Sequence, residues 1–319
     1  MSDLLRQGLI LLGESPLARR FATVAPGART MARRFVAGET VEDGIRVARE
    51  LNEAGLSVTL DYLGESVSRK EDATAAADTY IRLIGQIAAA KLNANVSLKL
   101  TQMGQDIDEA FLRANAGRVL ERARAADMFV RFDMESSDYT QRTIDFFQQV
   151  WADGYRNCGL VLQSYLKRSE ADVRMANGMD ARVRLCKGAY AEPPEVAYQD
   201  KDEVDENYLH LMKLLLEEGR YPGIATHDET MIQATMTFAS DRRISPASFE
   251  FQMLHGVRRD LQTRLRREGY NVRVYVPFGE AWYPYLMRRM AERPANLFFI
   301  ARAVLAESPM KFLVKDRRK

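Results

Sequence analysis

The stretch from Arg182-Val-Arg-Leu-Cys186 to Gly223-Ile-Ala-Thr-His227 reads as strand, helix, strand. The two ends are short runs with β-branched residues. Between them Val204, Tyr208, Leu211 and Leu215 recur at helical spacing. A strand, a covering helix and a second strand form the unit from which parallel sheets are built. Moving outward, similar runs stand at Ser57–Leu63, Asn95–Leu100, Met128–Met134, Cys158–Gln163, Ser248–Leu254 and Asn271–Val276. Helical stripes such as Tyr80, Leu83, Ile84 and Ile87 separate them. Eight alternations predict an α/β fold, a (β/α)8 TIM barrel. A doubly wound open sheet is the alternative, and it is disfavoured because no GxGxxG or GxxxxGK[ST] follows any run.

Residues 1–54 read as short helices, at Ser2–Leu12, Pro16–Thr23, Ala28–Phe35 and Val41–Ala54. The expected organisation is therefore an N-terminal helical segment over 1–54, packed on a barrel over 55–319. The last unit differs from the others. After Tyr275-Val-Pro-Phe-Gly279 a helix is expected to open at Pro284 and stop near Pro294. It carries Tyr285, Arg288, Arg289 and Glu292 on one face, with the apolar Asn296–Leu305 after it as the wall helix. Two arginines beside an aromatic ring suit a small carboxylate. We expect this polar helix to lie over the barrel mouth; a solvated surface helix is the alternative.

Composition removes several functions. The 319 residues carry 46 basic and 44 acidic side chains, too even a balance for a nucleic-acid footprint. Cys158 and Cys186 are too few for a disulfide framework, and with only three histidines no metal site is expected. Leu9–Leu12 is far too short to span a bilayer, and no signal peptide is read. The basic tail Lys315-Asp-Arg-Arg-Lys319 reads as a solvated end, with only a weak hint of a membrane surface.

In such barrels the chemistry gathers at the C-terminal strand ends. Read in order, those ends offer Asp61 and Glu65, Lys99, Asp133, Gln163, Arg184 with Lys187, Thr226 with His227, Gln252, and Tyr275. Lys99, between two leucines, is expected to point into the barrel with Asp133 as its partner; an inert ion pair is the competing reading. Gln163 can donate and accept at once, as a flavin or nicotinamide edge requires, or it can be a satisfied core amide. In Arg184…Lys187-Gly188-Ala189 small residues let backbone N–H groups approach an anion, and with Thr226-His227 the group reads as a phosphate site.

Together, Ser97-Leu-Lys-Leu100, Arg131-Phe-Asp-Met-Glu135, Val161-Leu-Gln-Ser164, Arg184…Lys187-Gly-Ala-Tyr190, Ala225-Thr-His227, Phe251-Gln-Met-Leu-His-Gly256 and Tyr275…Arg288-Arg289 resemble the proline dehydrogenases, along essentially the whole chain. The resemblance implies a flavin-bearing barrel that oxidises L-proline to Δ1-pyrroline-5-carboxylate, the first step of proline degradation to glutamate. Hydride passes from proline C5 to flavin N5, and the electrons go on to a membrane quinone. It implies that Arg288, Arg289 and Lys99 hold the carboxylate while Tyr275, Tyr285 and Leu254 pack around the ring. Glu65 would pair with Arg288 and close the site. Asp133 and Arg184 are the implied catalytic residues. Met134, Gln163, Arg184, Lys187, Gly188, Ala189, Thr226 and His227 would bind the flavin, FAD by preference with FMN left open. The product would go to a separate pyrroline-5-carboxylate dehydrogenase. The implied location is cytoplasmic, with a peripheral position at the inner face of the cell membrane left open. A cofactor-free lyase using Lys99 or Lys187 as a Schiff base is the rival chemistry. A flavin barrel acting on a folate-like substrate and a plain ligand-binding module are weaker rivals.

Overall fold

A computed structural model describes residues 34–292, of which 288–292 are described by their backbone alone. Eight parallel strands close into a barrel in chain order. They are β1 (Ser57–Tyr62), β2 (Ala94–Leu98), β3 (Val130–Phe132), β4 (Cys158–Gln163), β5 (Arg182–Cys186), β6 (Gly223–Ala225), β7 (Glu250–Leu254) and β8 (Asn271–Phe278). Each lies on an expected run, with ends moved by a few residues. The helices are α1 (Val41–Glu53), α2 (Lys70–Ala89), α3 (Glu109–Arg124), α4 (Ser137–Ala152), α5 (Ser169–Gly178), α6 (Lys201–Glu218), α7 (Glu229–Asp241), α8 (Arg259–Arg267) and α9 (Trp282–Glu292).

Strand alternation explains how this sequence builds its core. Val58 and Leu60, Val96 and Leu98, Val130 and Phe132, Val183 and Leu185, and Val274 and Val276 are all buried, in one cluster with Tyr80, Leu83, Leu211 and Leu215 from the helices. These positions form the seam between sheet and helix layer. The intervening positions Asp61, Ser97, Arg131, Gln163, Arg184, Glu250 and Gln252 are buried too, yet polar. They face the lumen, so the inside of this barrel is a polar network where many barrels stack branched apolar side chains. That is why the strands alternate rather than reading as unbroken apolar runs.

α1 opens with a capping box in which Thr40 Oγ1 accepts from Asp43 N–H at 3.2 Å and Asp43 accepts from Thr40 N–H at 3.2 Å. Its apolar side joins the main core beside β1 and β8. The helix expected over Ala28–Phe35 does not include Arg34 and Phe35, which lie in a turn. The remainder of that helix, the two before it and Asn296–Leu305 lie outside the described residues. α9 begins at Trp282, two residues before the expected start. Pro284 is tolerated there because first-turn N–H groups have no partner within the helix. Its opening turns are more apolar than expected: Trp282, Tyr283, Tyr285, Leu286 and Met287 are buried with Phe35, Val36 and Leu63. Leu63 directly follows β1, which places this packing at the C-terminal end of the barrel.

Candidate active site

The barrel mouth is organised around Asp133, one residue beyond β3. Its Oδ1 accepts from Arg184 Nη1 at 2.8 Å, and its Oδ2 accepts from the Tyr275 hydroxyl at 2.7 Å. Arg184 stands on β5 and Tyr275 on β8, neither of which neighbours β3, so both bonds cross the lumen. The Arg184 guanidinium also lies 5.2 Å from the Tyr275 ring centre, stacking the cation on the aromatic face. Arg184 Nε donates to Gln252 Oε1. A carboxylate so placed fixes both a cation and a phenol. Burial first, then the Asp133 and Asp61 carboxylates, push the Tyr275 phenol far above its ordinary range, so its hydroxyl remains a donor.

Lys99 departs from expectation. β2 ends at Leu98, and Lys99 opens a 3-10 turn, Leu100–Met103. Its ammonium lies 3.5 Å from both oxygens of Asp61 and 3.9 Å from Asp133, so Asp61, and not Asp133, is its nearer acid. Burial works against the Lys99 charge, but Asp61, Glu65 and Asp133 outweigh it and raise its pKa. Asp61 also moves upward, because its burial exceeds the help from Lys99. The two shifts have different origins: the surrounding acids raise Lys99, and burial raises Asp61.

Three contributors were not singled out from sequence. Tyr80, which reads as a core position of α2, donates its hydroxyl to the Ser97 carbonyl at 2.7 Å and stands 3.5 Å from Asp61 Oδ1. Glu135 is buried, and Thr101 Oγ1 lies 2.9 and 3.0 Å from its two oxygens. Thr101 in turn accepts from the Ser66 N–H at 3.1 Å, which ties the loop carrying Glu65 to β3. Burial is the main cause that raises Glu135 to about 7, despite Lys99 and Thr101.

The expected cofactor residues divide into two groups. Gln163 is buried at the end of β4, its Nε2 3.4 Å from the Glu135 carbonyl and its Oε1 without a donor among the described residues. Met134 is buried next to Asp133. Lys187, by contrast, meets two acids: Asp228 at 2.9 Å and Asp205. Thr226 Oγ1 accepts from the Asp228 N–H at 3.0 Å. His227 Nε2 accepts from the Leu254 N–H at 2.9 Å, so that nitrogen carries no proton in this arrangement. Lys187 and Thr226 thus do converge, but on Asp228. Gly188 has φ +112°, and a Cβ there would run into the Tyr165 ring. Leu254 ends β7 near the mouth, and Ala189 follows Gly188 in the same loop. Tyr285 is buried on α9, while the side chains of Arg288, Arg289 and Glu292 lie outside the described residues.

A mouth holding lysine, arginine, tyrosine and aspartates in mutual contact can receive an anionic substrate. The orphaned Gln163 acceptor asks for an N–H from something else. Residues 45–302 match the family model described as proline dehydrogenase. The chain belongs to the proline dehydrogenase family. It is 38% identical over 302 residues to proline dehydrogenase 1 of Bacillus subtilis (strain 168), covering 95% of this chain and 99% of that protein. Proline dehydrogenase 2 of the same organism is 42% identical over 273 residues, covering 86% and 90% of the two chains. Among solved structures, proline utilization A from Bdellovibrio bacteriovorus, inactivated by N-propargylglycine, superposes with a TM-score of 0.79 at 27% identity. That match covers 91% of this chain and 35% of the longer one. This chain is therefore an enzyme of the proline dehydrogenase family. Among the described residues no cluster of His, Cys, Asp and Glu could hold a metal, and no helix is long and apolar enough to cross a membrane.

Proposed function

We propose that this enzyme oxidises L-proline to Δ1-pyrroline-5-carboxylate with a flavin held at the C-terminal mouth of the barrel, and that a quinone takes the electrons. The observation that carries this reading is Asp133, which fixes Arg184 and Tyr275 across the lumen in a family of proline dehydrogenases. FAD is the form we favour. A bound flavin supplies the acceptor for the hydride leaving proline C5.

The flavin fits the residues present. Gln163 offers an unused buried acceptor, and Arg184 brings a cation to the same end of the barrel, where added negative charge would be stabilised. With its charge met by Asp205 and Asp228, Lys187 is better prepared to order its loop than to neutralise a free phosphate. Thr226, His227, Gly188, Ala189 and Met134 complete the proposed cradle. On the substrate side, Arg288 and Arg289 would grip the carboxylate as a pair of planar forks, with Lys99 as a third cation. The Tyr275 ring cannot swing away, because its hydroxyl is tied to Asp133 and its face is covered by Arg184. With Leu254 and Tyr285 it would hold the proline ring in one orientation, which is how positioning lowers a barrier. Glu65 would close the site against Arg288, and the product would pass to a separate pyrroline-5-carboxylate dehydrogenase. We place the enzyme in the cytoplasm, meeting its quinone at the inner membrane face.

The Schiff-base alternative needs a lysine that gives up its proton. Lys99 is shifted the opposite way by its acids, which counts against it. The test is the visible spectrum of the purified protein, expected to be that of a flavin and to bleach on anaerobic addition of L-proline. Arg288→Lys and Arg289→Lys should raise KM for proline while leaving flavin content near wild type. Unchanged KM in both would refute the carboxylate assignment.

A further inference from the structure

At the opposite end of the barrel, where β3 to β6 begin, a cavity of about 360 Å³ is lined by Arg124, Arg156, Arg182 and Arg220, with Asp127 and Asp180 as its acids. Most of these charges are already matched. Arg220 reaches Asp180 at 2.8 Å, and Arg124 reaches Glu121 at 2.6 Å. Arg156 lies 4.5 Å from the Trp151 ring centre and donates to the Tyr155 carbonyl at 3.3 Å. Arg182 differs from the other three. Its guanidinium lies 5.2 Å from the Phe129 ring centre and 5.1 Å from that of Tyr221, and makes no hydrogen bond or ion pair with any described residue. Arg131 stacks 4.8 Å from the Phe129 ring and is buried; its Nη1 donates to the Leu160 and Arg182 carbonyls at 3.0 and 2.7 Å, and its Nε meets no acceptor among the described residues. Gly159 is what lets these groups gather, since a side chain there would strike the Phe129 ring and the Arg182 backbone.

We propose that this face holds an oxyanion site centred on Arg182, taking a phosphate group or a small carboxylate. Two rings pack on the guanidinium while its N–H donors meet no described acceptor, and a planar fork of that kind binds two oxygens of one anion. The surrounding charge has the right sign. Arg220 and Arg273 act on Arg182 as like charges, while Glu250, an acid that acts on it in the opposite sense, is engaged by Arg273 at 2.7 Å and by the Tyr221 hydroxyl at 3.3 Å. A half-buried cation with unused donors among other cations is a group that an anion stabilises and water serves poorly. Phosphate and carboxylate share this chemistry.

The site is tested on the flavin-loaded full chain by thermal unfolding against inorganic phosphate, a sugar phosphate monoester and acetate, with chloride holding ionic strength constant. The wild type should show a saturable rise in Tm, and Arg182→Gln should abolish it. Arg182→Lys keeps the charge without the fork and should raise the half-saturating concentration about tenfold. The anion with the lowest half-saturating concentration identifies the source. No response beyond that to chloride, or the same response in Arg182→Lys as in wild type, overturns the proposal. Should Arg182→Gln fail to fold, the lysine variant still decides between the two outcomes.

Discussion

Glu135 gives the sharpest quantitative consequence of the buried mouth. Its carboxyl stands at about 7 against an ordinary value of 4.5, with burial as the leading cause. At about 1.4 kcal/mol for each tenfold in proton affinity, ionising it inside the fold costs about 3 kcal/mol more than in the unfolded chain. The sign follows from proton counting. Below 4.5 both states hold the proton and nothing is lost. Between 4.5 and about 7 the unfolded chain gives up its proton while the folded chain keeps it, so stability falls as pH rises. Above that range the full penalty applies. Glu135→Gln keeps the shape and the acceptor facing Thr101 but has no proton to lose. Urea unfolding from pH 5 to 8.5 should therefore show the variant gaining on wild type by up to about 3 kcal/mol toward the alkaline end. The reasoning fails if the two proteins keep a constant stability difference across that range, or if the variant loses ground as pH rises.

Other expectations concern the partners of Asp133 and the loop after β5. Lys99→Met leaves Asp61 and Asp133 without a nearby ammonium, and equilibrium unfolding should show a loss of about 3–5 kcal/mol. Adding Asp61→Asn to it should restore part of that loss, whereas purely additive losses would mean the ion pair is inert. Tyr275→Phe removes the 2.7 Å bond to Asp133 but keeps the ring. We expect kcat/KM to drop about tenfold, matching about 1–1.5 kcal/mol for one hydrogen bond to a charged partner, with flavin content unchanged. Gly188→Ala forces a side chain onto Tyr165 at φ +112°, and flavin retention after dialysis should fall sharply. Retention equal to wild type would remove this loop from the cradle.

The strands were legible because their two-residue period is a local property of the chain. The contacts of the mouth were legible only where they depend on strand position. Asp133, Arg184 and Tyr275 could be placed at strand ends, but that they meet one another depends on barrel closure and stagger, which one sequence does not encode visibly. Lys99 shows the limit most clearly. The run Asn95–Leu100 looks like one strand, yet the chain turns at Lys99, so its nearer acid is the one on β1. Asp205 lies on α6 and Asp228 just before α7, so their convergence on Lys187 is a long-range consequence of packing. Tyr80 was hidden by its own ring, which fills a core position while its hydroxyl reaches the Ser97 carbonyl. For Glu135 a signal did exist: an acid two residues beyond Asp133 keeps the same strand parity.

The polar lumen also explains why position 252 is an amide. Gln252 Oε1 accepts from Arg184, and its Nε2 donates to Glu250 at 2.6 Å. Glu250 then meets Arg273 and the hydroxyl of Tyr221, whose ring stacks on Arg182. One continuous line of contacts therefore runs from Asp133 at the mouth to Arg182 at the base. An acid at 252 would set two carboxylates against each other, a lysine could not accept from Arg184, and an apolar residue would orphan both neighbours in a buried position. Glutamine meets both demands while adding no charge. Along the lumen Lys99, Arg131, Arg184 and Arg273 then face Asp61, Asp133 and Glu250, four cations against three carboxylates. Glu135 stands at about 7, so near neutral pH its charge is one that this network can add or withdraw without breaking the pairs that hold Arg184 and Arg273.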